Sequence, residues 1–170
     1  MRTLVTGFEP FGPWKINSSW EAVRLLDGRW RDIEVACLQV VHQAAASELV
    51  DLITACRPDR VLLTGLADRP LPTFEVQARL GPGLDEASDP VRRGRWAFHA
   101  ALKRLQRIGV PCRLSQDAGR YVCETTYWTA LGSGVRDVAF LHLPPIGGTW
   151  TARRLSRLVD AVLHPNNSRI

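Results

Sequence analysis

The sequence lacks any apolar run approaching the roughly 20 residues that cross a bilayer, so no membrane-spanning helix is expected. Its opening residues, Met1-Arg2-Thr3-Leu4-Val5-Thr6-Gly7, form too short an apolar stretch for a signal peptide, and the expected location is the cytoplasm. Cysteine is scarce: Cys37, Cys56, Cys112 and Cys123 form no Cys-x-x-Cys pair, and no His/Cys set has zinc-binding spacing. In a reducing compartment these are free thiols. Lysine is nearly absent, so the net charge of +5 is carried almost entirely by arginine. No aromatic-basic motif accompanies that charge, which argues against nucleic acid as a partner. The clusters Arg92-Arg93-Gly94-Arg95 and Arg153-Arg154 with Arg157 read as solvated helix faces. Internal repeats, low-complexity segments and domain boundaries are also missing. What remains is ordinary for a soluble globular chain, with 45% hydrophobic and 23% charged residues over 170 positions, read as one domain, 1–170, with a polar tail from about His164.

Hydrophobic periodicity then orders the chain. Strands are expected at Arg2–Thr6, Ile33–Val41, Arg60–Gly65, Phe74–Leu80, Cys112–Ser115 and Asp137–Leu143. Helices are expected at about Trp20–Leu26, Ala44–Cys56, Arg95–Ile108, from Glu124 to Leu131, and after Gly147-Gly148-Thr149. Gly81 to Gly94 reads as an irregular surface loop. The run Val61-Leu62-Leu63 is continuously apolar, as in a strand covered on both faces. Alternation of strands and helices predicts an α/β fold, a three-layer α/β/α sandwich with a mainly parallel or mixed central sheet. Function in such folds gathers beyond the carboxyl ends of strands, where Phe8, Leu66 to Thr73, Cys123 and the residues after His142 fall.

Cys123 is the outstanding chemical candidate. It closes Asp117-Ala118-Gly119-Arg120-Tyr121-Val122-Cys123 and opens a helix, where the macrodipole and free N–H groups favour a thiolate. A thiol nucleophile needs a base, and the base needs an orienting group. Of the four histidines, His99 and His164 read as surface residues, and His42, ending the second strand, is a further candidate for the base. His142 lies among apolar residues near the end of the last strand, where an imidazole has a specific partner or is a core residue satisfied by backbone. Glu75 at the start of a strand-like run is the matching acid, with a surface glutamate as the plain alternative.

Several segments together resemble one family, the pyroglutamyl peptidases. Val5-Thr6-Gly7-Phe8-Glu9-Pro10-Phe11-Gly12, continued by Asn17 and Ser19-Trp20-Glu21-Ala22, is similar to the family's opening signature, with Ser18 where the family has proline. The stretch from Asp117 to Cys123 resembles the segment bearing the nucleophile, and Phe140-Leu141-His142-Leu143-Pro144 the one bearing the histidine. The resemblance implies that Cys123 attacks the amide following an N-terminal pyroglutamate, that His142 moves the proton and that Glu75 holds the imidazole. It implies that Phe8 and Phe11 sandwich the lactam, that Asn17 steadies their loop, and that Tyr121 and Val122 complete the pocket. The implied partner is a peptide or amide with N-terminal pyroglutamate, without metal or cofactor, and the implied assembly is a dimer or tetramer. Glu124 and Thr125 stand where the family has asparagine and histidine, the chain between Glu75 and Cys123 is short, and Arg79 is the candidate for the family's loop arginine. These departures keep two other readings open, a binding homologue with an impaired triad and a hydrolase of a different small acyl amide.

Overall fold

The computed structural model describes residues 1–79 and 90–164. A six-stranded sheet runs in the order β2-β1-β3-β8-β4-β7, from β1 (Thr3–Phe8), β2 (Ile33–Leu38), β3 (Arg60–Leu66), β4 (Thr73–Glu75), β7 (Arg113–Ser115) and β8 (Asp137–Leu143). All neighbours are parallel except β4 and β8, which are antiparallel. A separate two-stranded ribbon pairs β5 (Gln77–Arg79) with β6 (Val91–Arg93). The helices are α1 (Ser18–Val23, extended by a 3₁₀ turn at Arg24–Leu26), α2 (His42–Cys56), α3 (Phe98–Arg107), α4 (Val122–Gly132) and α5 (Ala152–Leu163). None of the helices among the described residues is long and apolar enough to cross a membrane.

Successive side chains of a strand point to opposite faces, and this alternation builds two cores. Val5, Leu62, Phe74, Ala139 and Leu141 pack with Ala22, Ala101, Leu105, Leu155, Leu158 and Val159 on the face covered by α1, α3 and α5. Leu4, Val61, Leu63, Val138 and Phe140 pack with Ala45, Leu49, Tyr127 and Ala130 on the face covered by α2 and α4. The expected α/β/α sandwich is thus the observed one. Because 61, 63 and 65 share a face, as do 138, 140 and 142, Gly65 and His142 project toward α2 and α4. The pairs Thr73–His142 and Glu75–Phe140 put Glu75 on that face too.

Several local expectations need correction. The expected strand 74–80, whose last position lies outside the described residues, is two strands over 73–79: at Val76 the chain leaves the main sheet, with its N–H bound to Ser115 O and its carbonyl to Gly94 N, both at 2.8 Å. Of the expected loop 81–94, positions 81–89 lie outside the described residues, but Val91–Arg93 is strand β6. The third helix starts at Phe98 rather than Arg95, since Arg95 is tied by two backbone hydrogen bonds to Val138. Its guanidinium donates to the carbonyls of Leu131, Val135 and Arg136, while Arg92 lies 4.0 Å over the Trp128 ring, so these arginines staple α4 rather than coat a helix. The second strand ends at Leu38, and His42 opens α2 instead of ending β2. His164 is also not a free surface group: it stacks on Trp30 at 4.1 Å and its Nδ1 meets Asp160 at 2.9 Å.

Candidate active site

Four carboxyl ends of strands and the start of α4 converge on one cavity of about 500 Å³. Its walls bring together Phe8, Phe11, Asn17, Tyr121, Val122, Cys123 and His142, which are all but one of the residues singled out from the sequence. The exception, Glu75, is fully buried behind His142.

The loop after β1 is shaped for this wall. Phe8 is buried, its N–H donating to Ser19 Oγ at 3.0 Å. Ser19 Oγ in turn donates to Asn17 Oδ1 at 2.8 Å, and Asn17 Nδ2 donates to Glu9 O at 3.0 Å. Asn17 also caps α1 through the Ser19 N–H, so one amide side chain fixes both the helix start and the aromatic loop. A tight turn then pairs Phe11 with Trp14. Gly12 at φ +53° supplies the left-handed residue this turn requires. Trp14 thereby becomes a third aromatic on the cavity.

The approach to Cys123 is set by Asp117, whose Oδ1 accepts the Gly119 N–H at 2.9 Å across a turn with Gly119 at φ +79°. Tyr121 precedes the first helical residue and is 76% exposed at the rim, whereas Val122 is buried in the wall. Cys123 follows in the first turn of α4. A methyl group on Gly65 would come within 2.9 Å of Cys123 Sγ, so the sulfur rests on bare β3 backbone. Gly65 is the register partner of His142, which places the thiol beside the imidazole's strand position. Among the described residues no hydrogen bond joins Sγ to His142 in this resting arrangement.

The imidazole itself is firmly held. His142 Nδ1 lies 2.7 Å from Glu75 Oε1. A carboxylate can only accept, so Nδ1 carries the proton and Nε2 presents a lone pair. Arg69 Nη1 donates to the same Oε1 at 2.8 Å and its Nη2 to Asp117 O at 3.0 Å, so one guanidinium links the acid to the loop before the cysteine. Tyr127 donates its hydroxyl to Glu75 O at 2.8 Å and fixes the backbone of the acid.

The thiol does not meet the expectation of a helix-stabilised thiolate. Burial and the nearby Glu75 charge push Cys123 up to about 12, outweighing its own backbone N–H and Arg69, which pull it down. On this balance the thiol holds its proton more tightly than a free cysteine does. Glu124 is not the cause. Its Oε1 accepts the Arg79 N–H at 2.9 Å, which turns the carboxylate toward β5. Arg79 is correspondingly a β5 residue; among the described residues, the arginine on the cavity is Arg69. Arg69 and Trp14 are among the lining residues the sequence reading did not nominate. Trp14 sits three residues from Phe11 across a Pro-containing turn, and Arg69 lies in the loop after β3, where site residues gather. No group of three or more His, Cys, Asp or Glu side chains among the described residues is arranged to hold a metal.

Comparison with known proteins agrees with this architecture. The family model described as pyroglutamyl peptidase matches residues 1–79. The pyrrolidone-carboxylate peptidase of Thermococcus kodakarensis is 36% identical over 85% of this chain and 81% of its own length. Pyroglutamyl-peptidase 1 of Mus musculus is 31% identical over 94% and 87%. The crystal structure of pyrrolidone carboxyl peptidase from Thermus thermophilus superposes with a TM-score of 0.81, at 31% identity over 95% of this chain and 98% of that one. Identity above 30% across more than four-fifths of both partners in each pairing places this chain in the pyroglutamyl peptidase family.

Proposed function

We propose that the protein is a cysteine peptidase that removes pyroglutamate from the N-terminus of peptides, with Cys123, His142 and Glu75 as its triad. The observation that carries this reading is the buried Glu75–His142 couple on the same sheet face as Cys123, opening on a cavity walled by Phe8, Phe11 and Trp14. Pyroglutamate is a flat, uncharged lactam. Aromatic faces suit it, and no carboxylate is needed to pair an ammonium.

In the proposed reaction His142 Nε2 takes the Cys123 proton as the sulfur attacks the pyroglutamyl carbonyl carbon. With the thiol resting neutral, proton transfer accompanies attack. Glu75, buttressed by Arg69, keeps the imidazole in the required tautomer and stabilises the imidazolium. In this reading, backbone N–H groups at the start of α4 stabilise the oxyanion. Collapse breaks the C–N bond, and the departing amine takes the proton from His142. Water, deprotonated by the same imidazole, then cleaves the thioester, restoring the thiol and releasing pyroglutamate.

The test is release of a chromogenic amine from a pyroglutamyl amide. The expected outcome is turnover that vanishes in Cys123→Ala and after thiol alkylation. Folded protein without turnover above background, or turnover that survives Cys123→Ala, overturns the assignment.

A further inference from the structure

The proposed triad leaves one histidine of the cavity without a task. His42, the first residue of α2, is exposed at the cavity mouth, opposite the rim residue Tyr121 and beside Val41, which is 56% exposed. Its Nδ1 lies 2.8 Å from Thr125 Oγ1, on the α4 turn that follows Cys123. Thr126 and Thr129 send their hydroxyls back to helix carbonyls, but among the described residues the partner of the Thr125 hydroxyl is His42 Nδ1. When the hydroxyl donates to Nδ1, the imidazole proton sits on Nε2. That N–H has no partner among the described residues. The result is a hydrogen-bond donor locked in orientation at the mouth, attached to the same helical turn as the nucleophile.

The cavity's depth and mouth differ in character. Phe8, Ala118 and Val122 at its base are buried and apolar, suited to the acyl ring, whereas His42, Asp68 and Tyr121 at the mouth are exposed. A chain leaving Cys123 must pass the mouth. We infer that His42, held by Thr125, is a specificity-determining residue that donates from Nε2 to a carbonyl or carboxylate oxygen of the residue following the scissile bond. This rests on the pyroglutamyl reading of the site. It makes the protein selective for peptides over aryl amides that lack such an oxygen.

Binding in the Cys123→Ala background tests it, because no turnover is needed. Titration calorimetry compares pyroglutamyl-alanine amide with pyroglutamyl anilide. The expected result is tighter binding of the peptide by about fivefold, the contribution of one hydrogen bond. Adding His42→Phe brings the ratio to near one, adding Thr125→Val lowers it, and His42→Gln, whose amide N–H reaches a similar place, restores part of it. An unchanged ratio in His42→Phe overturns the inference, as does equal weakening of both ligands, which marks a structural role. If folded protein binds neither compound, the pyroglutamyl reading fails and the inference with it. If both bind without preference, only the inference fails.

Discussion

Adding a single methyl group at Gly65 should disable the site while leaving the fold intact. In Gly65→Ala the new carbon would sit 2.9 Å from Cys123 Sγ and 2.9 Å from Phe140 Cζ. Comfortable contact needs about 3.5–4.0 Å, so the neighbours must yield by roughly 0.6–1.1 Å. Phe140 has little freedom, since its ring is fully buried and packed against Tyr127 and His142 at 5.7 and 4.8 Å. The sulfur, on a side chain with one rotatable bond at the cavity edge, is the group that moves. Misplacement of a reacting atom by about 1 Å costs on the order of 100-fold in rate, or about 2.7 kcal/mol of barrier. Overpacking of the core costs about 1–3 kcal/mol of stability, which a domain with the usual 5–15 kcal/mol tolerates. The assay is kcat for a pyroglutamyl coumarin amide alongside a urea denaturation curve. A cooperative transition with a lowered midpoint and a kcat down 10- to 100-fold is expected, within the range those displacements imply. A kcat within about twofold of the parent, at full folding, would show that the sulfur does not depend on the bare backbone of Gly65 for its position.

Further outcomes follow from the same contacts. Labelling of Cys123 by iodoacetamide, followed by peptide mass analysis because Cys37 and Cys112 are also pushed up, to about 11 and 12, should be slow at pH 7 and climb through pH 10. A plateau reached by pH 7 would indicate a resting thiolate and refute the neutral thiol. Arg69→Met removes a group that lowers the Cys123 thiol, so the labelling profile should move to higher pH and kcat should fall at least tenfold as Glu75 loses its partner, roughly the cost of one charge-assisted hydrogen bond; an unmoved profile counts against the electrostatic link. Tyr127→Phe leaves the buried Glu75 carbonyl short of its donor and should cost about 1–3 kcal/mol in chemical denaturation. The raised thiols also fix the sign of the alkaline dependence. Folded protein keeps thiol protons that the unfolded chain releases near pH 8.5, so stability is full below that pH and declines as pH rises toward 11 and 12. A flat denaturation midpoint from pH 8 to 10.5 would contradict it.

Much of this was legible in the chain because the informative features are local. The β-branched and apolar runs at 3–6, 60–65 and 137–143 announce central strands, and the Asp117–Cys123 segment announces a tight turn into a helix. Cys123, His142 and Glu75 could be nominated from residue type and position relative to strand ends. Whether the last two touch is a matter of register between β4 and β8, which sequence spacing does not encode. The errors share a cause. Arg95 and Arg92 read as solvent-facing cations because sequence cannot show that backbone carbonyls at the end of α4 wait for them. The thiol was assigned a helix-dipole advantage visible in the sequence, whereas burial and the Glu75 charge, which outweigh it, arise from residues distant along the chain. Trp14 was missed because its approach to the cavity depends on the φ +53° turn at Gly12 rather than on any periodic pattern.

The antiparallel seam between β4 and β8 has one more consequence, for quality control during folding. β4 is three residues long, and slipping it by one position would exchange its faces. Phe74 would then take the buried place of Glu75 behind His142, and the Glu75 carboxylate would be driven among Leu141, Leu105 and Leu155 with neither His142 nor Arg69 to meet it. Such a chain would bury an unpaired charge, which is strongly unfavourable. The register that aligns acid with imidazole also keeps the acid paired, so molecules slipped by one residue are selected against thermodynamically before they can persist as inactive protein.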